Sequence, residues 1–201
     1  DPSVLVDYDS VDDLFTNNHV VRNGVKRLSA DLAMKGRDKF IVAMSNGGVI
    51  NIAAEKGKSS GKDIEITLRA LMNEHKIGNT NVVADSDGLG SYLESYIKNI
   101  KEFRGGARAI SRGYFNLKSE CAFKLAEKIT KRGLKIECND HQKEEIKRQL
   151  LACLKRDKID ADETKKRLIS KDKMKEYLGN SPDYFDALMM LMYFDLKREY
   201  F

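Results

Sequence analysis

The segment GVKRLSADLAMKGRDKFIVAMSNGGVINIAA, residues 24–54, decides the fold. Three short apolar runs lie within it, at residues 24–33, 38–45 and 49–54. The second and third runs are separated by the turn sequence Asn46-Gly47-Gly48. Short apolar runs bounded by turn residues are typical of buried strands, and an Asn-Gly pair between two of them favours a β-hairpin. We therefore expect three consecutive strands, of which the last two form a hairpin.

Helical and extended patterns alternate after this segment. Residues 62–76 carry apolar side chains at helical spacing, and residues 80–86 form a short apolar run. Further elements are expected as helices near 89–100, 117–132, 142–156 and 183–198, a strand at 134–137 and a basic connector at 165–175. The order strand, helix, strand is typical of a crossover between parallel strands. The predicted fold class is therefore α/β, with a mixed central sheet flanked by helices.

The last predicted helix has a recognisable start signal. Ser181 is a good N-cap residue, and Pro182 suits the first helical position. The methionines that follow, Met189, Met190 and Met192, are interpreted as part of the buried face of this helix.

Length and charge restrict the class of protein. The chain has 201 residues with 41% hydrophobic and 33% charged side chains, which fits one globular domain at residues 24–201. Residues 1–23 are predicted to be an extended acidic lead-in. The first 20 residues contain five acids and no Lys or Arg, so the remaining 181 residues carry 36 basic against 26 acidic groups, a net +10. A basic body makes nucleic acid the leading partner class, with a lysine-rich solubilising surface as the alternative.

Several other classes of protein and site are not supported. No apolar run reaches the roughly 20 residues of a membrane helix, and no secretory signal precedes the domain, so we expect a soluble, intracellular protein without a membrane partner. The three cysteines have no metal-binding spacing and fit reduced structural thiols. The sequence GKSSGK at 57–62 lacks the spacing of a phosphate loop, and the histidines are dispersed.

Carboxylates end the predicted strands and open the last helix. The candidates are Asp31, Asp38, Asp85, Asp87, Asp183 and Asp186. Acids at the carboxyl ends of strands converge on the crevice where open α/β sheets bind ligands. Such a set without an accompanying His or Cys group favours Mg²⁺ or Mn²⁺ over zinc. Beside a basic surface, it indicates metal-assisted phosphodiester hydrolysis.

Each acid also has a structural explanation. Asp87 precedes a glycine and suits a turn, Asp183 suits the first turn of a helix, and Asp38 can pair with a neighbouring basic residue. The metal-site prediction therefore depends on the whole set.

Four segments share their motifs and order with a known family. They are KRLSADLAMKGRDKFIV (26–42), NVVADSDGLGSYLESYI (81–97), YFNLKSECAFKLAEKI (114–129) and GNSPDYFDALMMLMYF (179–194). In this order they resemble the nuclease domain of tailed-bacteriophage terminase large subunits. The resemblance implies a ribonuclease H-like fold and a two-metal endonuclease that cuts concatemeric viral double-stranded DNA during genome packaging.

The resemblance also implies roles for the acids. Asp31 would bridge two Mg²⁺ or Mn²⁺ ions, and Asp85 would be the ligand from the fourth strand, with Asp87 as a substitute. Asp183 and Asp186 both match the helix acid of the family, and the turn acid Asp38 is a further candidate. The ions would activate the water, although a nearby lysine could assist.

The partners implied by the resemblance are those of a packaging motor in the host cell cytoplasm. An ATPase domain would precede this chain, with residues 1–23 in the tether between the two domains. The portal and the small terminase subunit would be further partners, and the isolated domain is expected to be a monomer.

Two basic segments are predicted to contact DNA phosphates. The residues in the first are Lys101, Arg104, Arg108 and Arg112; those in the second are Lys165, Lys166, Arg167, Lys171 and Lys173. A solvated basic face is the alternative interpretation. No helix has the character of a base-reading element, so weak sequence dependence is expected.

Two other functions remain open at this point. One is another ribonuclease H-like nuclease, of the resolvase or transposase type. The other is a DNA-binding module without catalytic activity.

Overall fold

The computed structural model describes residues 3–32, 39–86, 97–157 and 164–196. The strands of these residues form one six-stranded sheet: β1 (Lys26–Asp31), β2 (Phe40–Asn46), β3 (Val49–Lys56), β4 (Val82–Asp85), β5 (Lys101–Phe103) and β6 (Lys135–Glu137). The sheet order is β5-β4-β1-β2-β3-β6. Strand β2 is antiparallel to both of its neighbours, and the other pairs are parallel. The predicted mixed sheet is confirmed.

Helices flank this sheet. In the described ranges they are α1 (Tyr8–Asp13), α2 (Gly61–His75), α3 (Leu117–Thr130), α4 (Asp140–Cys153), α5 (Lys171–Leu178) and α6 (Asp183–Leu191). A short 3₁₀ turn, Met192–Asp195, follows α6. None of the described helices is long and apolar enough to cross a membrane.

The predicted hairpin is formed by β2 and β3. Asn46 pairs with Val49, so Gly47 and Gly48 make a two-residue turn. Gly47 has a φ of 61°, a left-handed conformation that glycine adopts without the steric penalty of a side chain. The turn sequence therefore sets the register of the hairpin.

The sheet separates two hydrophobic cores. Leu28, Ala30 and Val82 face α2 and pack with its buried residues Ile64 and Leu68. The residues that alternate with these on the strands face the other side, where α3, α4 and α6 pack. Helix α6 lies against β1, β2 and β4 with all of its residues buried, including the methionines Met189 and Met190, as predicted.

The lead-in contains a helix, contrary to the extended structure that was predicted. Asp7 caps α1 by accepting a hydrogen bond from the Ser10 amide. Val6, Val11 and Leu14 are buried in the same core as α3, α4 and α6. These residues therefore pack as part of the domain, because their apolar side chains cover the core on the α6 side.

The last helix is shorter than predicted and begins differently. It ends at Leu191, and Pro182 rather than Ser181 holds the N-cap position, without a capping side-chain hydrogen bond. A side chain from α4 replaces the cap, because Gln149 Oε1 accepts a 3.0 Å hydrogen bond from the Phe185 amide in the first turn of α6.

One further prediction needs correction, and another lies mostly outside the described residues. The basic connector at 165–175 contains the start of α5, which is capped by Ser170 and ends at Gly179 with a φ of 74°. Most of the helix expected near 89–100 lies outside the described residues, and residues 97–100 form a turn.

The three cysteines are free thiols, and two of them are buried.

Candidate active site

Two aspartates lie side by side at the carboxyl ends of adjacent parallel strands. Asp31 is the last residue of β1 and Asp85 is the last residue of β4. Ala30 pairs with Ala84, so the two aspartates follow at the same level of the sheet. Ala30 and Ala84 face α2, and the alternation of side chains therefore directs both carboxylates towards α6.

Helix α6 brings two more carboxylates to this place. Asp183 and Asp186 lie in its first turn, and both are buried. The Ser29 hydroxyl donates a 2.6 Å hydrogen bond to the carbonyl oxygen of Ala187. Because Ser29 and Asp31 share one face of β1, this bond holds the start of α6 beside the end of the strand.

The buried carboxylates repel one another. Burial raises the pKa of the Asp31 carboxyl well above its usual range. The nearby charges of Asp186, Asp183 and Asp85 raise this pKa further. The charge of Lys171 opposes this effect only in part, so negative charge prevails around Asp31 and a cation would stabilise its ionised form.

Asp186 is held by two lysines. Lys118 Nζ lies 2.8 Å from Asp186 Oδ1, and Lys171 Nζ lies 3.3 Å from Asp186 Oδ2. Burial alone would raise the pKa of Asp186, but the two ammonium groups hold it below its usual value. The charges of Asp186 and Asp31 in turn raise the pKa of Lys171, against the effect of its burial, so Lys171 stays protonated.

Asp183 has a different environment from Asp186. Its Oδ2 atom accepts a 2.8 Å hydrogen bond from the backbone amide of Lys39, directly before β2. The Lys39 side chain points to Glu55, with 2.6 Å between Nζ and Oε1. Asp183 is thereby connected to the end of the sheet, whereas Asp186 faces the lysines.

A cavity of about 230 Å³ opens beside these groups. Asp85 and Asp186 line it together with Lys118, Lys171, Gly105 and Gly106. The cavity joins the carboxylates to the loop that follows β5, so a ligand in it would contact both.

The donor set fits a hard divalent cation. Its side chains are carboxylates from three separate elements, and oxygen ligands of this kind suit Mg²⁺ and Mn²⁺. Among the residues that the structure describes, no group of three or more Asp, Glu, His or Cys side chains is already arranged to hold a metal ion.

The other predicted acids cannot be placed. Asp38 and Asp87 lie outside the described residues. The site described here therefore consists of Asp31, Asp85, Asp183 and Asp186.

The predicted DNA-contacting residues divide into groups. Lys171 lies in the cleft on Asp186, while Arg167 and Lys173 contact Asp157 at 3.9 and 2.8 Å. Arg104 pairs with Glu102 at 2.8 Å. The remaining five lie elsewhere on the surface: Lys101 over the Phe194 ring, Lys166 over the Tyr114 ring, and Arg108, Arg112 and Lys165 around a second cavity.

Sequence reasoning did not identify the lysine contacts of the cleft. Lys118 is 68 positions from Asp186 in the chain, so no local pattern indicates their contact. The start of α5 carries a signal in Ser170, which caps the helix that presents Lys171. No local signal in the sequence indicates the contact of the Lys39 amide with Asp183.

Comparisons with known proteins find solved structures with a similar fold. No protein-family model and no curated protein matches the chain. A variant nuclease domain of the large terminase subunit gp2 of bacterial virus Sf6, solved with manganese and beta-thujaplicinol, matches with a TM-score of 0.75 and 18% identity, covering 94% of this chain and 98% of that one. The large terminase nuclease from thermophilic phage G20c with bound magnesium matches with a TM-score of 0.64 and 14% identity, over 96% and 98% of the two chains.

A longer protein also matches. A large terminase from another thermophilic bacteriophage is similar over 92% of this chain and 45% of its own length, with a TM-score of 0.51 and 13% identity. The fold expected from the resemblance is confirmed: the chain has the fold of the nuclease domains of phage terminase large subunits.

Proposed function

We propose that this chain is the metal-dependent endonuclease domain of a phage terminase large subunit, which cuts concatemeric viral double-stranded DNA during genome packaging. One observation carries the proposal: carboxylates from β1, β4 and α6 converge on one face of the sheet, next to lysines and a basic loop. The similarity of the fold to terminase nuclease domains supports it.

We assign the metal ligands to Asp31, Asp85 and Asp186. Asp186 is preferred to Asp183 for two reasons. It lines the same cavity as Asp85, and its charge affects Asp31 more strongly than the charge of Asp183 does. Asp183, which accepts the Lys39 amide, orients the start of α6.

A pair of Mg²⁺ or Mn²⁺ ions would supply an activated water and would stabilise the leaving oxygen of the phosphodiester. The residues of the chain contribute in other ways. Asp31 and Asp85 provide negative charge at fixed positions, because each ends a strand of the central sheet. Lys118 and Lys171 balance the charge of Asp186 and provide positive charge beside the cavity in which a DNA phosphate would lie.

The surrounding assembly is part of the proposal. This chain spans 45% of the length of the longer large terminase. We propose that an ATPase domain precedes it in the whole protein, as the family resemblance implies. Residues 1–23 would connect to it. The part of this segment that the structure describes is fixed on the nuclease core, because Leu5 N donates a 2.9 Å hydrogen bond to Leu154 O and Val6 and α1 pack in the core. The portal and the small terminase subunit would be partners of the assembled protein.

The test is cleavage of supercoiled plasmid in EDTA, Mg²⁺ and Mn²⁺. We expect cutting that depends on the metal and that is lost in Asp85→Asn and Asp186→Asn. Asp9→Asn is the matched control, because Asp9 is an exposed aspartate in α1. Its cutting should equal that of the unaltered chain.

Different outcomes would distinguish other functions. A strong preference for branched DNA, or a strand-joined product, would indicate a resolvase or transposase. Salt-sensitive DNA binding without cutting in either metal would indicate a binding module and would contradict the proposal.

A further inference from the structure

The loop between β5 and α3 has an ordered backbone although its sequence is rich in glycine and arginine. Its amides and carbonyls form hydrogen bonds within the loop and to the start of α3, for example Lys118 N to Gly105 O at 3.0 Å and Leu117 N to Ala107 O at 2.9 Å. We call residues 104–116 the basic loop. It is held in place by the helix that presents Lys118 to the cleft.

A buried glutamate fixes the middle of the basic loop. Glu120 is 4% exposed and accepts hydrogen bonds from the amides of Ile110 and Ser111, at 2.6 and 3.1 Å. The Ser111 hydroxyl donates a third, at 2.5 Å. Three donors therefore satisfy this carboxylate beneath the loop.

The second basic segment pairs with the basic loop. Lys166 N donates to Gly113 O at 2.8 Å, and Phe115 N donates to Lys166 O at 2.9 Å. The guanidinium of Arg167 lies 4.1 Å from the centre of the Phe115 ring. The two segments that the sequence suggested as separate DNA contacts thus form one surface.

A cavity of about 320 Å³ lies on this surface. It is lined by Arg108, Arg112, Lys165, Ser111, Tyr114 and Phe115. Within the described residues, Arg108 and Lys165 form no ion pair. The cavity therefore combines three cationic side chains with a hydroxyl and two aromatic rings.

We propose that this second cavity, which we call the loop cavity, binds a phosphate group of the DNA strand that enters the cleft. Arginine and lysine side chains around a concave site bind phosphate by charge and hydrogen bonds. The ordered loop would hold them with little loss of conformational freedom on binding.

The basic loop relates the loop cavity to the active site. Its Gly105 and Gly106 line the cleft with Asp85 and Asp186, while its residues from Arg108 to Phe115 line the loop cavity. A strand bound in the loop cavity would continue along the same loop into the cleft. The inference rests on the proposed function, which identifies the ligand as DNA. It adds the loop cavity as the place where a phosphate of the DNA backbone binds.

The experiment measures binding of a short DNA duplex in EDTA, where no cutting occurs, at several salt concentrations. Arg108→Ala/Arg112→Ala should bind at least ~10-fold more weakly, and its slope of log K against log salt should become shallower by about 1, since the contact with one phosphate is lost. Lys165→Ala should show a smaller change in the same direction. The thermal unfolding of each variant checks that it is folded.

The matched control is Lys58→Ala/Lys62→Ala. It removes the same charge from exposed positions before and in α2, on the other side of the sheet. Its affinity should change by less than about threefold, since a diffuse charge effect is screened by salt. Equal losses in the two double variants would overturn the inference, because the effect would then be one of net charge.

A second measurement identifies the source of the phosphate. Inorganic phosphate is titrated into the unaltered chain, and the guanidinium NMR signals of its arginines are followed. Shifts of Arg108 and Arg112 together with weaker duplex binding by the variant support the inference. If the arginine signals shift but the variant binds the duplex as the unaltered chain does, the cavity binds free phosphate only and the inference is overturned. The inference is also overturned if the signals do not shift and the variant binds the duplex normally.

The two proposals fail separately. If the chain does not cut plasmid but the arginine variant binds duplex more weakly, the proposed nuclease function fails and the loop cavity remains a DNA-phosphate site. If the chain cuts plasmid and the variant binds and cuts as the unaltered chain does, only the inference fails.

Discussion

The two faces of the sheet use the same strands for different purposes. On the α2 side, β1 and β4 present Leu28, Ala30, Val82 and Ala84 to an apolar core. On the α6 side, the alternating positions of these strands include Ser29, Asp31 and Asp85, and α6 adds further buried carboxylates. Both faces carry an apolar core, but the α6 face also buries carboxylates, which costs desolvation free energy that the α2 face does not bear.

The comparison also shows how the charged face is tolerated. Lys118 and Lys171 contact Asp186, and a backbone amide contacts Asp183. Asp31 forms no ion pair among the described residues, and its pKa is raised although the charge of Lys171 opposes the shift. Negative charge is thus in excess where two parallel strands end.

The largest expected effect is the loss of cutting in Asp31→Asn. Removing this ligand should lower the rate of plasmid cleavage in Mn²⁺ by roughly a thousandfold or more, since bound metal is worth several kcal/mol in the transition state. The same variant should melt at a higher temperature than the unaltered chain in EDTA, because it removes one charge from a repulsive buried set. A variant that cuts normally, or that melts lower, would contradict the division between the two faces.

The next effect concerns the apolar face. Leu68 is fully buried in α2, so Leu68→Ala should lower the free energy of unfolding by ~2–5 kcal/mol, as measured in urea. Its cutting rate below the melting temperature should stay unchanged. Ile66→Ala is the control in the same helix, because Ile66 is 56% exposed, and its free energy of unfolding should change by less than ~0.5 kcal/mol.

A smaller effect is expected at the contact between β1 and α6. Ser29→Ala removes the buried hydrogen bond to Ala187, which should lower the free energy of unfolding by ~1 kcal/mol. Cutting should fall as well, since this bond positions the helix that carries Asp186. Ser10→Ala removes a hydroxyl hydrogen bond of similar size in α1, and it should lose comparable stability but no activity. Equal activity in both variants would show that the bond has no positioning role.

The smallest effect is a pH-dependent one at Glu55. Burial alone would raise the pKa of Glu55, but hydrogen bonds from Lys39 and Gln142 help to lower it from 4.5 to about 2. Because the pKa of Glu55 is lower in the folded state, its ionised carboxylate stabilises the fold at pH values above the pKa of the unfolded chain. This stabilisation disappears as the pH falls from about 4.5 towards 2. Glu55→Gln should therefore cost stability in urea unfolding at pH 7 and progressively less at pH values below about 4.5. A constant difference across this range would contradict the assignment.

Much of the fold was accessible from the sequence because its signals are local. The Asn46-Gly47-Gly48 turn, the apolar runs beside it and the helical spacing of residues 62–76 each depend on neighbours in the chain. The aspartates at the strand ends were accessible for the same reason, together with the family resemblance. The lysine contacts of the cleft could not be predicted from the sequence, because Lys118 and Asp186 come together only through the packing of α3 against α6.

The missed helix α5 shows the limit of composition as a guide. The run of lysines between 165 and 175 predicted a basic connector. Ser170, the buried Met174 and Leu178 and the final Gly179 instead define a short capped helix. One apolar contact per turn was enough to form it. The same helix places Lys171 in the cleft, so its omission also concealed part of the site.

The central claim is that the charged face of the sheet holds divalent cations, and anomalous diffraction from a crystal of the chain grown with Mn²⁺ tests it most directly. The account predicts manganese bound by the carboxylates of Asp31 and Asp85, with Asp186 as the third acidic ligand. Manganese bound only elsewhere, or an ion-free cleft in crystals equilibrated at a concentration that supports cutting, would contradict it.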